Sequence, residues 1–271
     1  MNNIELPDLV DSHCHVDFPE FDNDLDEILL RAQKVGVSKV LTICTKPQNL
    51  DRVMEIATNH ASVFFAVGTH PLNINKVDYF TYEEILKVSS HPKMVGIGET
   101  GLDYFYSMSN SKEQEKHFKM HISLARECSL PLIVHSRSAD KDMSRILKDE
   151  YKKGQFNCVL HCFSSGIELA NTAIDLGFYL SISGIATFPM YEELKKEDTK
   201  PLGYTISKKE RANLIALFEY LIPGIEKTGT FEIGSNSGVA PHLEGLMRVF
   251  GAIGQRLNDK YELFENIIGL P

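Results

Sequence analysis

Short apolar runs alternate along the chain with amphipathic stretches, and this alternation predicts the fold class. Runs with the length and composition of buried strands occur near residues 7–13, 38–44, 62–68, 93–99, 130–135, 156–161, 178–183 and 229–233. Strands that alternate with helices form parallel sheets with crossover helices. About eight such units close naturally into a (β/α)8 TIM barrel, whose active site lies at the carboxyl ends of the strands. We therefore predict an α/β TIM barrel, with a doubly wound open sheet as the alternative.

Two capping boxes predict where helices begin. Thr81-x-x-Glu84 precedes one apolar stretch, and Ser111-x-x-Gln114 precedes another. The second box is followed by an i, i+3, i+4, i+7 stripe, which consists of Phe118, His121, Ile122 and Ala125. This spacing is typical of one face of an amphipathic helix.

Length and composition predict one domain. The chain has 271 residues, of which 43% are hydrophobic, and it contains no Pro/Ser-rich linker and no internal repeat. A barrel of alternating strands and helices commonly fills this length as a single unit. We expect residues 1–271 to form a single TIM-barrel domain.

The sequence favours a cytoplasmic protein without a membrane partner. Residues 1–10 carry Glu5 and Asp8 and lack the basic and apolar regions of a secretion signal. No apolar run approaches membrane-spanning length. The five cysteines are odd in number and contain no Cys-x-x-Cys pair, a pattern that favours reduced thiols.

The charge of the chain bears on its substrate. A formal net charge of -9 argues against broad electrostatic attachment to nucleic acid, because phosphate binding normally draws on clustered lysine and arginine. A bound metal ion reverses that sign locally. The charge therefore disfavours a nucleic-acid substrate without excluding one.

Several apolar runs end on residues that can bind a metal. His13 and His15 lie two residues apart, and side chains on a strand alternate in direction, so both leave the same face. Later runs end on or lead to Glu99, His135, His161 and His70. An isolated His-x-His is more often a pair of ordinary polar residues at a strand end. Here, however, other potential ligands also lie at the ends of separate apolar runs. Together they predict a metal centre at the barrel mouth.

The candidate donors are imidazole nitrogens and one carboxylate. Mixed nitrogen and oxygen ligation suits zinc, manganese or iron better than calcium, and magnesium fits where phosphate supplies further oxygens. We expect one or two divalent ions (Zn, Mn or Mg), and two ions would lie about 3.5–4 Å apart.

Six segments follow one another in an order that resembles a known family. They read DSHCHVDFPEF, VGTHP, GIGETGLDYFY, PLIVHSRSAD, LHCFSS and GFYLSISGIATF. Over roughly residues 8–188 they resemble the TatD-like deoxyribonucleases, metal-dependent members of the amidohydrolase-type barrels. The resemblance implies that His13 and His15 bind a first metal, that Glu99 is the shared carboxylate, and that His135 and His161 bind a second. It also implies hydrolysis of phosphodiester bonds in DNA, either single-stranded or at an end.

Two further candidates for catalysis join Glu99. His70 would orient a phosphate or stabilise developing charge, with a strand-end cap on Pro71 as the alternative. Arg137 would grip a phosphate in bidentate fashion, with an ion pair to Asp140 as the alternative.

The motif segments also contain two aspartates and three aromatic residues with open roles. Asp17 and Asp103 are as consistent with holding loop backbone as with chemistry. Phe163, Tyr104 and Phe105 would stack on bases or pack in the core.

The resemblance fails at the eighth strand. Family members end it with Glu-Thr-Asp, and that aspartate binds metal and orients the attacking water, whereas the aligned position here is Gly234. Glu232 lies on the same strand face but about two residues deeper. This departure leaves two alternatives to a weakened deoxyribonuclease: a catalytically inactive barrel that binds metal or nucleic acid, and a hydrolase that acts on a small molecule.

Overall fold

The computed structural model describes residues 9–76, 78–106 and 108–181. Within these residues, seven strands alternate with six α-helices. The strands are β1 (Leu9–Cys14), β2 (Val37–Cys44), β3 (Val63–Val67), β4 (Met94–Asp103), β5 (Leu132–Arg137), β6 (Cys158–Leu160) and β7 (Tyr179–Leu180). The α-helices are α1 (Leu25–Lys34), α2 (Leu50–Asn59), α3 (Tyr82–Val88), α4 (Ser111–Cys128), α5 (Asp140–Lys153) and α6 (Ile167–Asp175). The predicted α/β class is confirmed, and the strand predicted at 229–233 lies outside the described residues.

The described residues fall into two compact units. The first contains residues 9–135 together with 149–158, and the second contains 136–148 and 159–181. The prediction of a single domain over 1–271 stays a prediction. Among the described helices, none has both the length and the apolar character needed to cross a membrane.

In the first unit, the strands follow one another in chain order from β1 to β5. The pairs β1–β2, β2–β3 and β3–β4 are parallel. A doubly wound sheet would reverse its strand order at a switch point, so this order favours the barrel topology. In the second unit, β7 pairs in parallel with β6.

Strand β4 is the most buried strand of the first unit. All ten of its residues are buried, and it continues to Asp103 rather than ending at the predicted Glu99. Gly98 and Gly101 have φ angles of 140° and 141°, a backbone conformation that favours glycine. A Cβ atom at either position would collide with a carbonyl oxygen of β5. The two glycines therefore allow β5 to approach the segment that carries Glu99.

The two predicted capping boxes have different outcomes. Thr81 and Glu84 form a complete capping box at the start of α3, as predicted. The box predicted at Ser111 is wrong, because Asn110 occupies the cap position and makes no side-chain cap bond. Gln114 is buried, and its amide bonds the backbone of Asp103 instead.

The buried face of α4 contains a histidine. His121 is 0% exposed; its Nε2 accepts a hydrogen bond from the Thr69 N–H (3.0 Å), and its Nδ1 donates to the His117 carbonyl (2.7 Å). Burial lowers the pKa of His121 from 6.5 to about 4. The side chain is therefore neutral in the folded protein at neutral pH.

This burial predicts a pH-dependent loss of stability. The unfolded chain binds a proton at His121 below about pH 6.5, and the folded chain resists that protonation until about pH 4. Stability therefore falls as pH is lowered through this window, and the contribution of His121 reaches about 3 kcal/mol. We expect the unfolding free energy, measured by urea titration at a series of pH values, to fall more steeply in wild type than in His121→Gln. Parallel pH profiles for the two proteins would contradict this account.

Candidate metal centre

Four strands of the first unit bring five of the predicted site residues together. His13 lies in β1 and His15 directly follows it, with ring centroids 5.5 Å apart. His70 follows β3, Glu99 lies within β4, and His135 lies in β5. Because parallel strands in chain order end at one edge, these side chains share one face of the fold.

Glu99 lies at the centre of this cluster and is only 5% exposed. Its Oε2 is 3.3 Å from His13 Nε2, and its Oε1 is 3.1 Å from His135 Nδ1 and 3.9 Å from His70 Nε2. Burial alone would raise the pKa of the Glu99 carboxyl, but hydrogen bonds and charge from His13 and His135 hold it well below its usual range. Glu99 is thus an ionised carboxylate within reach of imidazoles from three other strands or strand ends.

His135 links Glu99 to a second carboxylate. Its Nε2 donates to Asp103 Oδ2 at 3.0 Å, while its Nδ1 faces Glu99. Burial works against the charged ring, but the hydrogen bonds to Asp103 and Glu99 raise the pKa of His135 to about 9. His135 can therefore bind a metal through Nδ1 only by releasing that proton, which makes ion binding pH-dependent.

His15 has the tautomer of a metal ligand. Its Nδ1 donates to the Ile43 carbonyl oxygen at 3.0 Å. Burial, followed by the nearby His13, lowers the pKa of His15 and keeps its ring neutral. A ring that donates through one nitrogen to a backbone carbonyl presents the lone pair of the other, here Nε2, to a metal.

His70 has the opposite tautomer. Its Nδ1 accepts a hydrogen bond from the Leu72 N–H at 3.2 Å. Burial, followed by the positive His135, lowers the pKa of His70 to about 4, so the neutral ring carries its proton on Nε2. That proton faces Glu99, so His70 is suited to donate a hydrogen bond into the site.

Asp103 is a functional residue that the sequence left open. It is 2% exposed, and its carboxylate accepts from both His135 Nε2 and the Phe105 N–H. Carboxylates that hold the distal nitrogen of a ligand histidine fix its orientation and raise its basicity. The sequence feature that points to Asp103 is its place in the GETGLDYF segment, four residues after Glu99.

The residues present fit a divalent cation. Glu99 Oε1 lies 3.1 Å from His135 Nδ1, and Glu99 Oε2 lies 3.3 Å from His13 Nε2, so nitrogen donors from two other strands flank the carboxylate. An ionised carboxylate together with imidazole nitrogens provides the mixed nitrogen and oxygen donors that zinc and manganese prefer.

Other predicted residues lie in the second unit or outside the described residues. Arg137 is the last residue of β5, and His161 directly follows β6; both are half-buried. Their roles stay predictions. Gly234 and Glu232 lie outside the described residues.

Of the three candidate stacking residues, Phe163 is buried, Tyr104 is half-buried and Phe105 is 45% exposed. Phe163 is therefore a core residue, and Phe105 keeps the exposure that stacking requires.

Comparison with known proteins agrees with the fold and with a metal-dependent hydrolase. The family model described as TatD related DNase matches residues 10–199. The uncharacterized metal-dependent hydrolase YcfH of Escherichia coli K12 is 37% identical over 190 residues, which cover 69% of this chain and 71% of YcfH. YabD of Bacillus subtilis, also an uncharacterized metal-dependent hydrolase, is 33% identical over 180 residues, covering 66% of this chain and 70% of YabD.

Solved structures show the same fold. The crystal structure of the TatD homologue YjjV from Escherichia coli K12 superposes with a TM-score of 0.64 at 22% identity, covering 97% of this chain and 98% of YjjV. A TatD-family hydrolase from Entamoeba histolytica gives a TM-score of 0.60 at 21% identity over 72% of this chain and 71% of that protein. Fold and site thus define an α/β metal-dependent hydrolase of the TIM-barrel type. The chain belongs to the TatD-related DNase family.

The geometry predicts how metal content depends on the β1 histidines. Replacing His13 and His15 together by alanine removes two nitrogen donors while leaving Glu99 and His135 in place. We expect the variant to retain at least one ion fewer than wild type after loading with Mn²⁺ or Zn²⁺ and desalting, as measured by mass spectrometry of the metals. His60→Ala, which changes a histidine at the end of α2, is the matched control and should load like wild type. Wild-type metal content in the double variant would remove these histidines from the site.

Proposed function

We propose that this chain is a metal-dependent deoxyribonuclease that hydrolyses phosphodiester bonds at the ends of DNA, preferentially in single strands. The observation that carries the proposal is the ionised, buried Glu99 among imidazoles from separate strands. The matching family model is described as TatD related DNase, which supports DNA as the substrate.

Each residue of the site has a role in this proposal. His13, His15, Glu99 and His135 would hold one or two ions of Zn, Mn or Mg, and His161 would complete the set. The bound ions would supply Lewis-acid stabilisation of the phosphoryl oxygens and an activated water. His70 Nε2–H would donate to a phosphate oxygen, and Arg137 would grip the phosphate.

The exposed aromatic side chains support a single-stranded substrate. Phe105 and Tyr106 lie two and three residues after the end of β4, which carries Glu99, and are 45% and 69% exposed. Phe18 is 46% exposed, and its ring stacks on His15 with centroids 5.0 Å apart. Aromatic rings beside strand ends provide stacking surfaces for the unpaired bases of a single strand. A chain with net charge -9 would depend on such stacking and on bound metal more than on a basic surface.

A cytoplasmic location belongs to the same proposal. It rests on the cysteine pattern, which favours reduced thiols. DNA and reducing conditions occur together in that compartment.

Gly234 supports a second candidate, a barrel that binds metal or nucleic acid without efficient hydrolysis. The aspartate that family members place there would orient the attacking water, and general-base assistance is worth about 10²–10⁴-fold in rate. Without this aspartate, the protein would be either a slow enzyme or an inactive binding protein. Measured hydrolysis separates them.

The principal test is Glu99→Gln. A neutral amide binds cations more weakly and cannot bridge two of them, so we expect metal-dependent degradation of a labelled single-stranded oligonucleotide to fall by about 100-fold or more. Glu150→Gln is the matched control, because Glu150 is equally buried but pairs with Arg126 and Lys153 away from the donors. It should lose stability and keep its rate per folded molecule.

Three outcomes would count against the proposal. Wild-type turnover in Glu99→Gln, with metal still required, would remove Glu99 from the mechanism. Wild-type protein that binds ions and DNA but leaves the DNA intact would favour the binding barrel. Hydrolysis of small esters or cyclic amides without cleavage of DNA would favour a small-molecule hydrolase.

A further inference from the structure

Two polar side chains lie on the buried face of helix α4, where apolar residues would be expected. Gln114 is 1% exposed and His121 is 0% exposed. They are seven residues apart, which is close to two helical turns, so they lie on the same face. Burying a polar group costs free energy unless its hydrogen bonds are made. Each side chain bonds the backbone at or just after the end of a strand, in addition to one contact near its own helix.

Gln114 fixes the backbone at the end of β4 through hydrogen bonds. Its Oε1 accepts from the Asp103 N–H at 2.8 Å, and its Nε2 donates to the Asp103 carbonyl at 3.0 Å. The same Nε2 donates to Asn110 Oδ1 at 2.9 Å. Both backbone groups of Asp103 are thus fixed by one amide, and the Asp103 carboxylate in turn holds His135 Nε2 at 3.0 Å.

His121 holds the segment that follows β3. Its Nε2 accepts from the Thr69 N–H at 3.0 Å, and Thr69 is itself fully buried. Thr69 Oγ1 accepts from the Phe80 N–H at 3.0 Å. His70 is the next residue, so the backbone that carries it is anchored directly to α4.

We propose that α4 is the positioning helix of the site: Gln114 orients His135 through Asp103, and His121 orients His70 through Thr69. Neither residue contacts the reacting atoms, so both are positioning residues. The role of Gln114 requires only metal binding, whereas the catalytic consequence of His121 rests on the proposed function. Losing a carboxylate–histidine support typically weakens metal affinity 10–100-fold, and a displacement of about 1 Å at a catalytic group lowers rate about 100-fold.

The test of Gln114 is the affinity for Mn²⁺. Gln114→Leu keeps the approximate volume of the side chain and removes all three hydrogen bonds. We expect calorimetric titration to show one binding step weakened about 10–100-fold, with kcat recovered at saturating Mn²⁺. Phe118→Leu is the matched control on the same buried face, and it should lower the melting temperature without changing Mn²⁺ affinity. Wild-type affinity in Gln114→Leu, or the same weakening in Phe118→Leu, would overturn this half of the proposal.

The test of His121 compares two variants. His121→Gln retains an acceptor for the Thr69 N–H, and His121→Leu does not. In His121→Leu we expect faster hydrogen exchange at the Thr69 amide, shifted ¹⁵N resonances of the His70 ring, and about 100-fold lower kcat with unchanged Mn²⁺ affinity. In His121→Gln we expect all three to return toward wild type. Wild-type His70 resonances in folded His121→Leu would overturn this half.

The two proposals can fail separately. If the wild type does not hydrolyse DNA, the proposed function fails, while Mn²⁺ affinity and the His70 resonances still decide the role of α4. If His121→Leu does not fold, the wild type decides: His121 must be the Nδ1–H tautomer by ¹⁵N shift, and the Thr69 amide must be strongly protected. The other tautomer of His121, or an unprotected Thr69 amide, would overturn the proposed role of His121.

Discussion

The site depends on one constraint, an ionised carboxylate held inside the protein. Burial of a charged group is unfavourable unless partners compensate for it. Glu99 has these partners in His13 and His135, and the protons they share with it hold its pKa low. A divalent ion compensates the charge of a buried carboxylate more strongly than an imidazolium does. The histidines that stabilise the ionised Glu99 without metal are therefore placed to bind a metal ion together with it. The surrounding histidines have different roles because of their backbone hydrogen bonds. Nδ1 of His15 donates to a carbonyl and leaves Nε2 free to bind metal, whereas Nδ1 of His70 accepts from an N–H and leaves the proton on Nε2.

The backbone on either side of Glu99 is shaped to keep it there. Gly98 and Gly101 allow β5 to approach β4 closely, which brings His135 to the carboxylate. On the other side, α4 packs against β4 with two buried polar side chains among its apolar residues. Helix α4 therefore contributes both to the core and to the site. Its apolar residues bury surface, and Gln114 and His121 fix the backbone at the strand ends that carry site residues.

Much of this architecture could be predicted from the sequence. The period-2 geometry of a strand placed His13 and His15 on one face, and alternating strands and helices brought their ends to one edge. The sequence could not show that β4 continues past Glu99, because the glycines that interrupt its apolar run resemble a turn. Gln114 was assigned to a capping box because its spacing from Ser111 matches one, and the buried amide prefers the Asp103 backbone. Tautomers depend on contacts such as Ile43 with His15 and Leu72 with His70, which no local pattern specifies.

The central claim is that Glu99 binds a divalent ion together with the surrounding imidazoles. Anomalous diffraction from crystals loaded with Zn²⁺, recorded above and below the zinc absorption edge, tests this most directly. The account predicts a zinc peak about 2.0–2.2 Å from a Glu99 carboxylate oxygen, with an imidazole nitrogen of His13, His15 or His135 also bound. Zinc peaks only elsewhere on the protein, with the Glu99 carboxylate still hydrogen-bonded to His13 and His135, would contradict it.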